Sequence, residues 1–445
     1  MRKPFAVLAA AMLALMWACL VVPAGIAHAD DDNRTQTLIA VAGFPRDNVA
    51  DTGDSFGVTP TVKDELYNVL AGKQCSISSS DASVARVEGS TVTAVGIGSA
   101  DIVFEYAGDE AYRPCTYTVP LDVYGGQLQS GGFTAHILSA PSGGEPGTCK
   151  INVIAADAVA GNGSVVVPSS MADSDSANYT VTQVGYLIGT GSSLVSSGAA
   201  ATMTSLAIPA CVERLDNRAF RGCTALTSVA IANNSRLQAI DNGAFQDCTA
   251  LETINVPACT MLKSIGDYAF YRCGTLSSIA FPDGLETIGS YAFSRCSSLT
   301  SIVIPASVTE LSRKASWSEM GAFYLCSSLE SVVIESGSKL EAMPYAFYQC
   351  TRLASLQLGE GIKNISCSAF YNCSALTEVT IPASVETMSL RNNPGNANPY
   401  YGADAAFGAC STLQSVTIAA GSKLTKAQEL GIPVIDEAAF LEMIK

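Results

Sequence analysis

Eight cysteines stand at one fixed place in a recurring unit, Ala-Phe-x-x-Cys-x-x-Leu, and this column of thiols is the first feature that could do chemistry. They are Cys223, Cys248, Cys273, Cys296, Cys326, Cys350, Cys373 and Cys410. Each lies three residues after an aromatic: Phe220, Phe245, Phe270, Phe293, Phe323, Phe347, Phe370 and Phe407. Thiols in register in an exported protein suggest a metal ladder or disulfides, and neither is expected here. Equivalent residues on adjacent turns of a coil lie about 4.8 Å apart with parallel Cβ vectors, which rarely suits a disulfide torsion. Buried free thiols acting as small apolar side chains are the expectation. Cys211, Cys259 and Cys367 lie off the column and Cys149 precedes it; these four are expected to pair or react more readily.

Other chemistry is sparse. Once a leader is removed, His136 is the only histidine, and it sits near Gly131, Gly132, Ser139, Pro141, Ser142, Gly143 and Gly144, a poor place for a catalytic base. The outward strand columns (Ser228, Thr253, Ser278, Ser301 and Ala230, Asn255, Ala280, Val303 at their start) are small, neutral and flat. They show no paired carboxylates, phosphate loop or metal-ligand spacing. No enzymatic activity and no cofactor is expected. Removing Arg2 and Lys3 with the leader leaves 25 − 2 = 23 cations against 40 acids, a net charge of −17, which disfavours nucleic acid and anionic membranes as partners.

A fixed spacing of Phe and Cys needs a scaffold that repeats. The intervals between successive Phe residues are 25, 25, 23, 30, 24, 23 and 37. After each unit, Leu-x-x-Val-x-Ile (Leu226, Val229, Ile231; Leu299, Ile302, Ile304) ends in the alternation of a short strand, and Pro209, Pro257, Pro282, Pro305 and Pro382 stop such strands. The returning segment carries apolar residues eight and five before the Phe, then a turn read as a short helix or 3₁₀ piece. Each internal turn of this coil gains on the order of 10 kcal/mol from burial before chain entropy is subtracted, and only when neighbours cover both of its sides. The Ala before each Phe suits backbones that approach closely.

These units resemble the BspA-type leucine-rich repeat, best at Leu276 to Cys296 (LSSIAFPDGLETIGSYAFSRC). The resemblance implies a mainly β solenoid with a short parallel strand per rung, and surface or secreted proteins that bind a ligand. Residues 203–419 are read as the eight repeats, and 127–202 as linker and opening rungs, with strands at Val165 to Pro168 and Tyr179 to Val184. Residues 35–125 resemble a bacterial Ig-like domain of the second group, a small β-sandwich expected to act as a spacer, with Cys75 and Cys115 as a disulfide candidate. Residues 420–445 are similar to the closing end of a BRCT domain and are read as a C-terminal cap. Residues 1–29 have the cation, apolar run and Ala-His-Ala ending of a signal peptide, so a secreted or cell-surface monomer cleaved after Ala29 is expected, with no membrane span left.

Binding residues are sought where the repeat is decorated. Tyr271, Tyr324, Tyr348 and Tyr371 each directly follow a repeat Phe. Two insertions, 312–320 with Arg313 and Trp317 and 391–404 with Tyr400 and Tyr401, lengthen single rungs and are read as recognition loops. A protein or glycan ligand on the repeat face and these loops is the first reading; the alternative is a structural spacer, or a truncated member of a surface array, with no ligand of its own.

Overall fold

A computed structural model describes residues 34–45, 48–185, 194–312, 321–341, 343–388 and 406–419. The leader, the tail 420–445, and Arg313, Trp317, Tyr400 and Tyr401 lie outside the described residues. The described residues divide into two compact units, one drawn from 1–40, 60–76 and 104–117, the other from 41–59, 77–103 and 118–445. In the first, Asp109 accepts hydrogen bonds from Lys73 and from the Tyr106 hydroxyl, both at 2.5 Å. Cys75 and Cys115 are partly buried free thiols there, each raised by burial.

The described residues of 34–124 are mostly strand and turn. Val49–Asp51, Cys115–Tyr124, Gly98–Tyr106 and Ser76–Ser79 form one four-stranded sheet in that order. Ser55–Gly57, Thr91–Ala94 and Ala85–Glu88 form an antiparallel trio. Alternation drives them: along Gly98–Tyr106, Ala100, Ile102, Phe104 and Tyr106 are buried while Ser99, Asp101 and Glu105 face water.

The repeats form a coil with two parallel sheets. In front, Ser164–Val166, Ser205–Ile208, Ser228–Ile231 and Thr253–Ile254 pair in register, as do Ser301–Ile304, Ser331–Ile334 and Ser355–Leu358, then Glu378–Ile381 with Ser415–Ile418. Burial alternates as the spacing predicts: Ile302, Val332 and Val379 face the core and Ser301 and Val303 do not. The first front sheet ends where the Asn255 side chain clasps Ile231, donating to its carbonyl at 2.8 Å and accepting from its N–H at 2.6 Å. Ile279 and Phe281 of the next rung turn inward without strand pairing.

The rear sheet departs from expectation. The returning segments contain a second strand column, Arg214–Leu215, Ala239–Ile240, Ser264–Ile265, Thr287–Ile288 and Glu310–Leu311, continuing Gly147–Ile154 and Asn178–Val184 in parallel. Two residues of strand per rung are too short to show alternation, so the sequence reveals only their inward member. The Ala-Phe-x-x-Cys segment is a plain turn rather than a helix or 3₁₀ piece.

Its interior is a stack of like on like. The eight Phe rings are fully buried and lie parallel to their neighbours, with centroids 5.1 to 5.4 Å apart and planes within 14°. Every Ala before a Phe is buried as well. The Phe N–H of one rung donates to the Ala carbonyl of the next, as at Phe220 to Ala244 and Phe370 to Ala406, both 2.7 Å. A larger residue than Ala would separate these backbones.

Candidate functional site

The thiol column is more than filler. Seven of its cysteines donate Sγ–H to the Phe carbonyl of the preceding rung: Cys248 to Phe220 at 3.0 Å, Cys296 to Phe270 at 3.3 Å, Cys326 to Phe293 and Cys410 to Phe370 at 3.1 Å, with Cys273, Cys350 and Cys373 alike at 3.3 to 3.5 Å. Each thiol thus adds a second hydrogen bond to a carbonyl that already accepts from the Cys N–H of its own rung, as Phe270 does from Cys273 at 3.1 Å, and Ala or Val could not supply it. Burial drives the thiols of Cys273, Cys296, Cys326, Cys350 and Cys373 far up from their ordinary range, Cys326 to about 12, so these form no nucleophilic thiolate at neutral pH. The expectation that off-column thiols are the reactive ones needs correction for two of them. Cys149 and Cys259 are fully buried, and burial raises them to about 12 and about 11; Cys211 and Cys367 remain partly exposed, and none of the four is in a disulfide.

His136 sits not in a loop but within the strand Phe133–Ser139, only 5% exposed. One ring nitrogen meets Asp51 at 3.1 Å and the other Gln127 at 3.2 Å, so both are engaged by neighbours. The glycines and serines around it belong to the turns that flank this strand. A polar recess of about 410 Å³ over the first rear rungs holds a charge network: Lys150 pairs with Asp216, and Arg214 bridges Asp216 at 3.3 Å and Asp241 at 2.5 Å. Two cations neutralise two carboxylates, and burial raises Asp241 despite Arg214. Among the described residues no cluster of His, Cys, Asp and Glu has the makings of a metal site.

One edge of the coil is different. The turn holds two residues with left-handed backbone, one two before the Phe and one two after it, in almost every rung. Gly243 and Gly222 take these places in early rungs; Tyr268, Tyr291 and Tyr345 take the first at φ of 57°, 56° and 54°. Bulky side chains rarely adopt this conformation. It swings the side chain out to the edge, next to the residue that follows the Phe. The expected Tyr271, Tyr324, Tyr348 and Tyr371 therefore join the unforeseen Tyr268, Tyr291 and Tyr345 in one band. Tyr268 and Tyr291 stack at 4.7 Å, Tyr291 meets Tyr324 edge-on at 6.1 Å, Tyr324 meets Tyr348 at 5.5 Å, and Tyr348 stacks on Tyr371 at 4.7 Å. Tyr271 lies edge-on to Tyr268 and Tyr345 packs by Tyr348. All seven are exposed or half-buried, and burial with the neighbouring rings pushes Tyr348 up to about 12. Ring faces meet at Tyr268–Tyr291 and Tyr348–Tyr371, and the remaining contacts are edge-on or tilted. The sequence signal for the three added tyrosines is weak, since their position also carries Arg218, Gly243, Gly321 and Ser368.

Comparison with known proteins agrees with the coil. Residues 199–320 and 316–392 match the BspA type Leucine rich repeat region in six copies, so the repeat array is of that type. Among solved structures the chain is similar to the pneumococcal vaccine antigen PcpA, at 18% identity over 66% of this chain and 82% of that one, with a TM-score of 0.42. A leucine-rich repeat protein of Bacteroides ovatus is similar at 22% identity, over 66% and 77%, with a TM-score of 0.44. A leucine rich cell surface protein of Faecalibacterium prausnitzii is similar at 18% identity, over 69% and 98%, with a TM-score of 0.34. No curated protein matches the chain.

Proposed function

We propose, from the premise that residues 199–392 are a BspA-type leucine-rich-repeat array, that this chain is a secreted or cell-surface binding protein whose ligand, a protein or glycan, docks along the tyrosine edge of the coil. The observation that carries the reading is the unbroken contact of seven tyrosines from Tyr268 to Tyr371 at positions where the fold does not call for them. Three of the seven hold a backbone conformation that glycine would adopt at no steric cost. Tyr also brings large contact area with little rotamer entropy to lose, which is why it is enriched where proteins recognise partners.

The insertions 312–320 and 391–404 belong to the same reading. They leave and rejoin the coil at Ser312 and Gly321, and at Met388 and Ala406, directly ahead of the turns of Phe323 and Phe407. Trp317, Arg313, Tyr400 and Tyr401 are read as their anchors. Residues 35–125 are read as an Ig-like spacer and 420–445 as a cap. A binder fits better than an enzyme, since His136 has both nitrogens engaged and the eight repeat thiols are buried in the stack. Among the described residues no helix is long and apolar enough to cross a membrane.

The test is an array of immobilised extracellular matrix proteins and glycans probed with the full chain and with the Tyr348→Ala/Tyr371→Ala and Trp317→Ala/Tyr400→Ala variants. The reading expects retention on a subset of spots that the Tyr variants lose. Retention by both variants equal to the parent, or no retention by the parent, would reject it.

A further inference from the structure

The tyrosine edge changes character along its length. At the four rungs of Phe220, Phe245, Phe270 and Phe293 the turn positions carry Arg218, Arg221, Arg272 and Arg295, all exposed, against the carboxylates of Asp247 and Asp267. The later rungs place Leu325, Gln349 and Asn372 where Arg272 and Arg295 stand. Four of the chain's 14 arginines therefore cluster within four turns of a protein whose formal net charge is −15. Such local reversal of sign has no use in folding that the contacts disclose. Arg218 and Arg295 make no ion pair among the described residues, and Arg221 and Arg272 share Asp247 at 3.9 and 3.6 Å, distances of loose surface pairing. Asp267 is already committed, its carboxylate accepting from the Ser290 N–H at 2.7 Å.

The geometry gives the cations a direction. Arg218, Arg272 and Arg295 all stand on left-handed backbone, at φ of 57°, 62° and 61°, which turns them to the same edge as the tyrosines. The guanidinium of Arg272 rests over the Tyr271 ring at 5.4 Å. Rungs repeat at the spacing of the Phe stack, so Arg221 and Arg272 are two steps apart, on the order of 10 Å, and Arg295 one step further. This is a line of guanidiniums whose later members, Arg272 and Arg295, share their rungs with Tyr268, Tyr271 and Tyr291.

We propose that this N-terminal stretch of the edge binds an anionic polysaccharide, one with a sulfate or carboxylate on every sugar or every second sugar. The proposal rests on the tyrosine edge being a ligand surface and names the ligand class for part of it. A linear polyanion matches a linear array, guanidinium forks take sulfate or carboxylate in two parallel hydrogen bonds, and the phenols reach the sugar hydroxyls. Nucleic acid fits less well, because the faces of Tyr268 and Tyr291 are spent on each other and offer no platform for bases. An acidic peptide would satisfy the arginines but not the hydroxyls of these tyrosines.

The experiment measures affinity of the full chain for a heparin-derived oligosaccharide, with polyglutamate and uncharged dextran alongside, by calorimetry at about 50 mM and about 200 mM salt. Arg272→Gly/Arg295→Gly is the decisive variant, because glycine relaxes those backbones and removes the charge without threatening the fold. The expected result is heparin binding that falls with salt, drops at least about tenfold in this variant, stays near the parent in Lys263→Ser, and exceeds binding of polyglutamate and dextran. Absence of heparin binding at low salt, equal binding by the glycine variant, or equal binding of polyglutamate would overturn the proposal. If it fails while Tyr348→Ala/Tyr371→Ala still abolishes retention on the array, only the polysaccharide is rejected; loss of both rejects the edge as a ligand surface.

Discussion

At each Ala-Phe-x-x-Cys turn the inward and outward side chains are neighbours in sequence, yet they answer to different demands. Inward, Ala, Phe and Cys recur in eight rungs, are buried throughout, and stack on their own kind. Outward, one residue away, the position carries Arg221, Gln246, Tyr271, Tyr324, Tyr348 and Tyr371, and it is buried only where it is Ser294 or Gly408. The coil fixes what lies inside because every rung must match the next. It leaves the edge open to whatever the chain must recognise, and there arginines from Arg218 to Arg295 overlap the start of a tyrosine band that runs on to Tyr371.

The contrast can be broken most severely from the inside. Phe293→Ala removes a ring stacked on both neighbours, and urea unfolding should show a loss of about 3–5 kcal/mol. Cys296→Ala should cost about 1–2 kcal/mol, as it empties volume and leaves the Phe270 carbonyl with the Cys273 N–H as its one donor. Cys296→Ser keeps a donor there and should cost no more than Cys296→Ala; a larger loss would return the thiols to mere apolar filler. On the edge, Tyr348→Ala loses ring contacts with Tyr324, Tyr345 and Tyr371 and should lower stability by about 1 kcal/mol while removing ligand. Arg295→Gly sharpens the comparison furthest, since relief of left-handed backbone offsets glycine's entropy and the melting temperature should stay within a degree or two of the parent, a change of about 0.5 kcal/mol or less.

Legibility in the sequence followed the same division. The Phe and Cys columns and the front strands could be read because identical residues recur at near-constant spacing, and each such residue is one that a neighbour of the same type must cover. The rear strand column was hidden, since Arg214–Leu215 or Thr287–Ile288 shows a single inward residue per rung. The candidate site was half visible: Tyr271, Tyr324, Tyr348 and Tyr371 share a place after Phe, whereas Tyr268, Tyr291 and Tyr345 join them only through a backbone conformation that propensity would deny to a tyrosine. The strand that holds His136 was hidden by the glycines and serines at its ends. The thiols' hydrogen bonds could not be inferred, for they depend on which carbonyl of the preceding rung the turn aims at the thiol.

Thiol labelling of the native protein, mapped residue by residue by mass spectrometry, tests most directly whether the rungs share a dry interior. Iodoacetamide should reach Cys211 and Cys367, while the eight column cysteines stay unmodified until denaturant unfolds the coil and then react together. Labelling of Cys273, Cys296 or Cys326 in the folded protein at the rate of Cys211 would contradict the stack on which the edge is built.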